Sequence, residues 1–229
     1  MFAIATWGQP PRLSREGEAE RCRRGKLLCA EWNVEERRFS AVQQLGSLPV
    51  LADNGSVKAT LEAINKMQAD GVIGQYAIGG AVGATLYLEP AATVDLDVFI
   101  IYPGESTGPL VSLAPIYEHL KTIGGRVQDE YIVIGEWPVQ FLLPADDLER
   151  EAIAQAVETA VDGVPTRVMT AEHLVAIALR VGRVKDHNRI LQFLEQEAVD
   201  QERLRGILER HRLASKWREF ERRYLEGRQ

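Results

Sequence analysis

From about residue 56 onward, hydrophobic and polar positions alternate between helical and strand periods. Leu61, Ile64 and Met67 fall at helical spacing, with Ser56 as a cap before them and Asp70-Gly71 as a stop after them. The short run Tyr76–Gly80 then reads as a first strand, and Ala81–Leu88 as a short helix closed by Glu89-Pro90. Val94–Tyr102 is a second strand, left through a loop rich in Pro, Gly and Ser. Leu113, Ile116, Tyr117 and Leu120 predict an amphipathic helix over Leu110–Ile123 that stops at Gly124-Gly125. Two strands follow, Arg126–Ile134 and Trp137–Leu143, with Gly135-Glu136 as a two-residue hairpin. Asp146-Asp147 open another helix, expected to run to about Thr159, and Thr166–Met169 is a short strand.

Beyond Thr170 the pattern becomes helical. His173–Val181, Val184–Glu197, Gln201–His211 and Ser215–Leu225 are successive amphipathic pieces, the first ended by Gly182. Strands first and helices last make an α+β fold: a mixed β-sheet with flanking helices and a C-terminal helical segment. The domain expectation is an N-terminal extension over residues 1–41, an α/β core over 42–169 and a helical region over 170–229. In the extension, Gly8, Pro10 and Pro11 break structure before a charged stretch holding Arg21, Arg23, Arg24 and Lys26. That stretch is either a solvated, loosely ordered segment or an arm that docks on a second subunit. A homodimer and a separate partner protein are both open.

Composition narrows the function classes. A chain of 229 residues with 45% hydrophobic content can bury a sizeable core, and a net charge of −6 argues against bulk neutralisation of nucleic-acid phosphates. No apolar run approaches the length of a membrane span, and Met1–Leu13 has no basic segment or cleavage pattern, so a cytoplasmic protein is expected. Cys22 and Cys29 form neither a C-x-x-C pair nor a zinc set. His173, His187 and His211 lack metal-ligand spacing, and no G-x-S-x-G supports a serine hydrolase. Trp217, Phe220 and Tyr224 read as a packing stripe on a helix.

The chemistry concentrates in Tyr76–Tyr102. Residues two apart on a strand share a face, so Asp95 and Asp97 project together, roughly 6–7 Å apart at the backbone. Paired carboxylates on an apolar strand are costly to bury without a cation, and Mg²⁺ with substrate phosphates suits them. Gly79-Gly80 would let phosphate approach the start of the following helix. Ile78 occupies the place of the first glycine of a dinucleotide fingerprint, and no Gly-Lys-Ser/Thr follows, so neither that motif nor a P-loop is present.

Gly79-Gly80, a spacer, and Thr93-Val94-Asp95-Leu96-Asp97-Val98 together resemble the nucleotidyltransferase superfamily. The helical stretch containing Gly182-Arg183-Val184-Lys185-Asp186 is similar to AbiEii-type and related bacterial nucleotidyltransferase-like proteins. The resemblance implies transfer of an NMP group from an NTP, such as ATP or CTP, to an acceptor hydroxyl on a protein, an RNA or a small molecule. Asp95 and Asp97 would hold Mg²⁺, Gly79 and Gly80 would admit phosphates, and Thr93 would orient a phosphate or a metal-bound water. Lys185 would lie near the phosphates, with Asp186 positioning it. Two departures stand out: Arg189 replaces an expected acid, and Gln140 sits where a third carboxylate belongs. An amide oxygen can ligate Mg²⁺ but is no general base. The alternative is a binding module of this fold with little turnover, one component of a toxin–antitoxin or phage-defence pair.

Overall fold

The fold comes from a computed structural model that describes residues 57–89, 95–103, 113–128, 131–135 and 137–226. These lie in one compact unit, Ala41–Gln229. The expectations for residues 1–41, for Ser56 and for Thr93 fall outside the described residues.

The described elements run α1 (Lys58–Ala69), β1 (Tyr76–Ile78), α2 (Gly80–Ala84), β2 (Leu96–Ile100), α3 (Ala114–Thr122), β3 (Arg126–Gln128), β4 (Tyr131–Ile134), β5 (Trp137–Leu142), α4 (Asp147–Ala154), β6 (Val157–Val161), β7 (Val164–Val168), α5 (Ala171–Val181), α6 (Val184–Glu195), α7 (Gln201–Arg210) and α8 (Ala214–Tyr224). The strands form one mixed seven-stranded sheet in the order β3-β4-β5-β2-β1-β7-β6. Strand β2 lies parallel to β5 and antiparallel to β1, and β1 pairs parallel with β7. This is the expected α+β arrangement.

Strand alternation sorts the side chains into two cores. Leu96, Val98 and Ile100 of β2 and Trp137, Val139 and Phe141 of β5 are buried with Leu61, Ile64 and Met67 of α1 and Ile116 and Leu120 of α3. The opposite face carries Ala77 and Phe99, buried with Leu148, Ile153, Leu174 and Leu179 from α4 and α5. Asp97 lies between Leu96 and Val98 and therefore projects to this second face, as Gln140 does between Val139 and Phe141. The helices that follow β7 complete the second core through Ile190, Phe193, Leu204, Ile207 and Phe220.

Three boundaries differ from the sequence reading. The helix opened by Asp146 stops at Ala154, because Val157–Val161 pairs antiparallel with Val164–Val168. Asp162-Gly163 turns that hairpin with positive φ at both residues (50° and 77°), which is the geometry an Asp-Gly hairpin favours. The stretch Arg126–Ile134 divides into β3 and β4, which pair with each other, so a meander replaces the single strand. Finally, β1 ends at Ile78 and Gly80 is already helical, while β2 begins at Leu96, one residue after Asp95. Other predicted features hold: Thr170 caps α5 by accepting from the His173 N–H, and Gly182 ends it in the left-handed conformation.

Candidate active site

Four segments converge on Asp97: the Gly79-Gly80 turn, the start of β2, the middle of β5, and the α5–α6 turn. The first contact is backbone. Gly79 N–H donates to the Asp97 carbonyl at 3.0 Å, tying the turn to the strand. Side-chain packing then dictates both glycines. A Cβ on Gly79 would sit 2.7 Å from the Phe99 ring, and Gly80 adopts φ +60°, a conformation that favours glycine. A Cβ on Gly80 would also overlap the Asp97 carboxylate, falling 2.8 Å from its Cγ. The pair was expected to open a path for phosphate. In the fold, the Gly79 amide is committed to Asp97, and Gly80 makes space for the Asp97 carboxylate itself.

Asp97 is half-buried, and burial pushes its carboxyl above the usual carboxylate range, reinforced by the like charge of Asp95. Arg189, Lys185 and Arg183 act in the opposite direction, which brings all three cations of α6 and its cap to bear on this carboxylate. None of them forms an ion pair with it. Directly opposite, in the parallel β2–β5 ladder, the register partner of Asp97 is Gln140. The neighbouring-strand position that a third carboxylate would take is thus an amide. Among the described residues, no group of three or more His, Cys, Asp or Glu side chains is placed to hold a metal ion.

The α5–α6 turn is built around Asp186. This buried residue sits at the third helical position of α6 and accepts from the Arg183 backbone N–H at 3.1 Å, the reciprocal half of a capping box. Its oxygens also take Arg183 Nε at 2.8 Å and Nη2 at 3.1 Å. Burial alone would raise the Asp186 carboxyl; the hydrogen bonds from Arg183 outweigh it and hold the group below its ordinary range. The expectation that Asp186 positions Lys185 is therefore replaced by a different arrangement, in which Asp186 secures Arg183 and the helix start. Lys185 itself is exposed. Arg189, one turn further on, is half-buried, and the sequence reading had treated it only as a missing acid. The i,i+4 spacing of Lys185 and Arg189 was the signal that both share a face.

The histidines stand elsewhere. His173 is fully buried, with Nδ1 2.9 Å from Thr170 Oγ1 and Nε2 3.4 Å from Glu151 Oε1. His211 Nε2 lies 2.7 Å from Glu151 Oε2, and His187 Nδ1 lies 3.1 Å from the Tyr224 hydroxyl. Trp217, Phe220 and Tyr224 form the expected packing stripe, with Phe220 ring centroids 5.6 Å and 5.0 Å from the other two. A 230 Å³ cavity lined by Leu179 and Gly182 together with His187, Phe220, Arg223 and Tyr224 has none of Gly79, Gly80, Asp97, Gln140, Lys185 or Arg189 in its wall. No described helix is long and apolar enough to cross a membrane.

No known family model matches the chain, and no curated protein does. Among solved structures, the chain is similar to ANT(2")-Ia in complex with adenylyl-2"-tobramycin, at 18% identity and a TM-score of 0.42, over 71% of this chain and 99% of that one. The solution structure of the antibiotic-resistance factor ANT(2'')-Ia aligns at 18% identity and a TM-score of 0.43, over 75% and 98%. An antigenic nucleotidyltransferase-like protein from Paracoccidioides brasiliensis aligns at 13% identity and a TM-score of 0.44, over 70% and 91%.

Proposed function

We propose that this protein is a nucleotidyltransferase that moves an NMP group from an NTP to an acceptor hydroxyl, using one divalent cation held by Asp95 and Asp97. The observation that carries the reading is the Asp97 carboxylate. It is half-buried beside a like charge, has no ion-pair partner among the described residues, and is kept in place by a glycine that tolerates no side chain. Such a group costs stability unless a cation joins it.

The residues fit Mg²⁺. Asp95 and Asp97 supply two hard oxygen ligands, and the Gln140 amide oxygen, opposite Asp97 in register, supplies a neutral third. Bound there, the ion would neutralise phosphate charge as the transfer proceeds. The protein's own groups do the remainder. Lys185 and Arg189 attract the triphosphate, and the Asp186-locked turn fixes where α6 presents them. The acceptor oxygen bonds to the α-phosphorus as the bond to the bridging oxygen breaks; pyrophosphate leaves and the hydroxyl proton passes to solvent. Thr93 remains a proposed phosphate or metal-water ligand on sequence grounds, and the AbiEii-type likeness rests on the α5–α6 stretch alone. A protein, RNA or small-molecule acceptor fits the reading equally.

One observation favours a second reading. Gln140 removes the carboxylate that would serve as base, which suits a binding module with little turnover and a partner-directed role, as in a toxin–antitoxin or phage-defence pair. Calorimetric titration of ATP and CTP with and without Mg²⁺, paired with a pyrophosphate-release assay, separates the two. Mg²⁺-dependent binding with pyrophosphate release supports transfer, and Mg²⁺-dependent binding without it supports the module. Equal binding with and without Mg²⁺ refutes the assignment of Asp95 and Asp97.

A further inference from the structure

The cavity lined by the end of α5, by α6 and by α8 gathers a second set of polar and aromatic side chains. A cavity of about 150 Å³ holds one benzene ring. At 230 Å³ this one has room for a ring with substituents. Three rings line it, and their centroids form a triangle: His187 to Phe220 5.7 Å, His187 to Tyr224 5.1 Å, Phe220 to Tyr224 5.0 Å. The group is braced from outside the wall, where Trp217 stacks on Phe220, and from within, where His187 Nδ1 lies 3.1 Å from the Tyr224 hydroxyl. Lys216, Glu219 and Arg223 complete the wall, all exposed. They stand three and four residues apart on α8 and so share one face. That spacing allows Glu219 to pair with either cation, yet none of the three forms an ion pair among the described residues. Lys216 Nζ donates to the Arg180 carbonyl at 2.9 Å, which offsets the negative end of α5 and leaves two N–H donors over. The Arg223 guanidinium lies 5.3 Å from the Tyr224 ring centroid and makes no hydrogen bond among the described residues.

We propose that this cavity is a second binding site, separate from the nucleotide site, for a small aromatic acid that also carries a hydroxyl or an amine. The ligand's ring packs against Leu179, Phe220 and Tyr224. Its carboxylate is met by the Arg223 fork and the remaining Lys216 donors, and its O–H or N–H by the Glu219 carboxylate. Few polar groups converging on an apolar, aromatic wall is the ordinary make-up of a small-molecule site. A neutral ring would leave the unpaired charges of α8 unmatched, and a bare anion would make no use of the rings. Lys185 precedes His187 by two residues, roughly 200° around the helix, which is why it is absent from this wall. The site therefore stands whether or not the protein transfers nucleotides.

The probe is 4-hydroxybenzoate, which combines the ring, the carboxylate and the hydroxyl. The full-length ¹⁵N-labelled protein is titrated with it, and the Gly182 amide and His187 imidazole signals are followed by NMR. Both are expected to shift saturably. Benzoate lacks the hydroxyl and should bind about fivefold more weakly; phenol lacks the carboxylate and should bind about tenfold more weakly. Acetate, without a ring, should leave both signals in place. Arg223→Gln and, independently, Lys216→Gln should each weaken the probe about tenfold, as for loss of a charged hydrogen bond. Glu219→Ala should erase the preference for 4-hydroxybenzoate over benzoate, and Lys185→Gln should bind the probe as wild type does. All four positions are exposed, and a melting temperature measured for each variant shows that it remains folded. Absence of a shift, equal binding of benzoate, phenol or acetate, or unchanged affinity in folded Arg223→Gln and Lys216→Gln overturns the proposal. A loss in Lys185→Gln overturns its separateness from the nucleotide site.

Discussion

The helical half of the protein is fastened to α4 by a partly buried carboxylate, and Glu151→Gln measures how strongly. Glu151 accepts from Arg210 and His211 and lies 3.4 Å from His173 Nε2. The Arg210 hydrogen bond is the largest influence; with His211 it overcomes partial burial and lowers the Glu151 pKa from 4.5 to about 2. A carboxyl held lower in the folded state stabilises the fold above pH 4.5 and loses that contribution as pH falls toward 2. At about 1.4 kcal/mol per pH unit, the interval corresponds to roughly 3 kcal/mol. The side chain is 18% exposed, so solvent screening takes away only a modest share. Urea unfolding followed by circular dichroism should find Glu151→Gln about 2–3 kcal/mol less stable at neutral pH. Other groups titrate in the same range, so the informative quantity is the gap between the two proteins. That gap should close as the pH is lowered from 4.5 toward 2. A gap that stays constant over this range, or none at neutral pH, would refute the reasoning.

Three further outcomes follow from the site and the core. Asp97→Asn should abolish Mg²⁺-dependent nucleotide binding yet melt no lower than wild type in metal-free buffer, because burial and Asp95 already raise this carboxyl and its ionised form weighs against folding as pH rises; differential scanning fluorimetry with and without Mg²⁺ checks both halves. Gly80→Ala must accommodate φ +60° and a Cβ against the Asp97 carboxylate, so a loss of about 1–3 kcal/mol accompanied by loss of the Mg²⁺-induced rise in melting temperature is expected. Phe220→Ala empties a position that is 3% exposed and stacked on Trp217, and chemical denaturation should show a cost of about 3–5 kcal/mol with nucleotide affinity preserved.

Much of this was legible in the chain because local rules governed it. The Gln140 position on β5 and the Thr170 and Gly182 ends of α5 follow from strand period and capping chemistry, and each stands where the sequence put it, whereas Asp95 falls just before β2 rather than on it. The hairpin Val157–Val168 was missed because charged Glu149, Glu151 and Glu158 around apolar positions mimic a helix, while the Asp162-Gly163 turn carried the decisive signal. The glycines and Asp186 were harder for a different reason. Their roles depend on contacts across the chain, Gly80 with Asp97 over seventeen positions, or on a choice between neighbours, Arg183 rather than Lys185. Sequence spacing lists the candidates for such contacts without choosing among them.

Asp97 is the residue that the proposed ligand site explains best, because its setting does little for stability. A fold stabilised for its own sake would pair this carboxylate or replace it, since a half-buried charge beside Asp95 is unfavourable. The surrounding residues do neither. Gly80 gives up a side chain to make room for the carboxylate, and the strand opposite offers the neutral Gln140 in place of a further charge. The cations of α6 are near enough to act on Asp97 yet lie beyond ion-pair distance, and the one that could swing freely, Arg183, is tethered to Asp186. Direct contact between Arg189 and Asp97 would satisfy both and close the space between them. Asp97 and these cations form no ion pair among the described residues, which suits the proposed binding of a ligand that carries both charges. On the proposed reading, a metal-bound polyphosphate would bring its cation to Asp97 and its anionic oxygens to the basic side chains of α6.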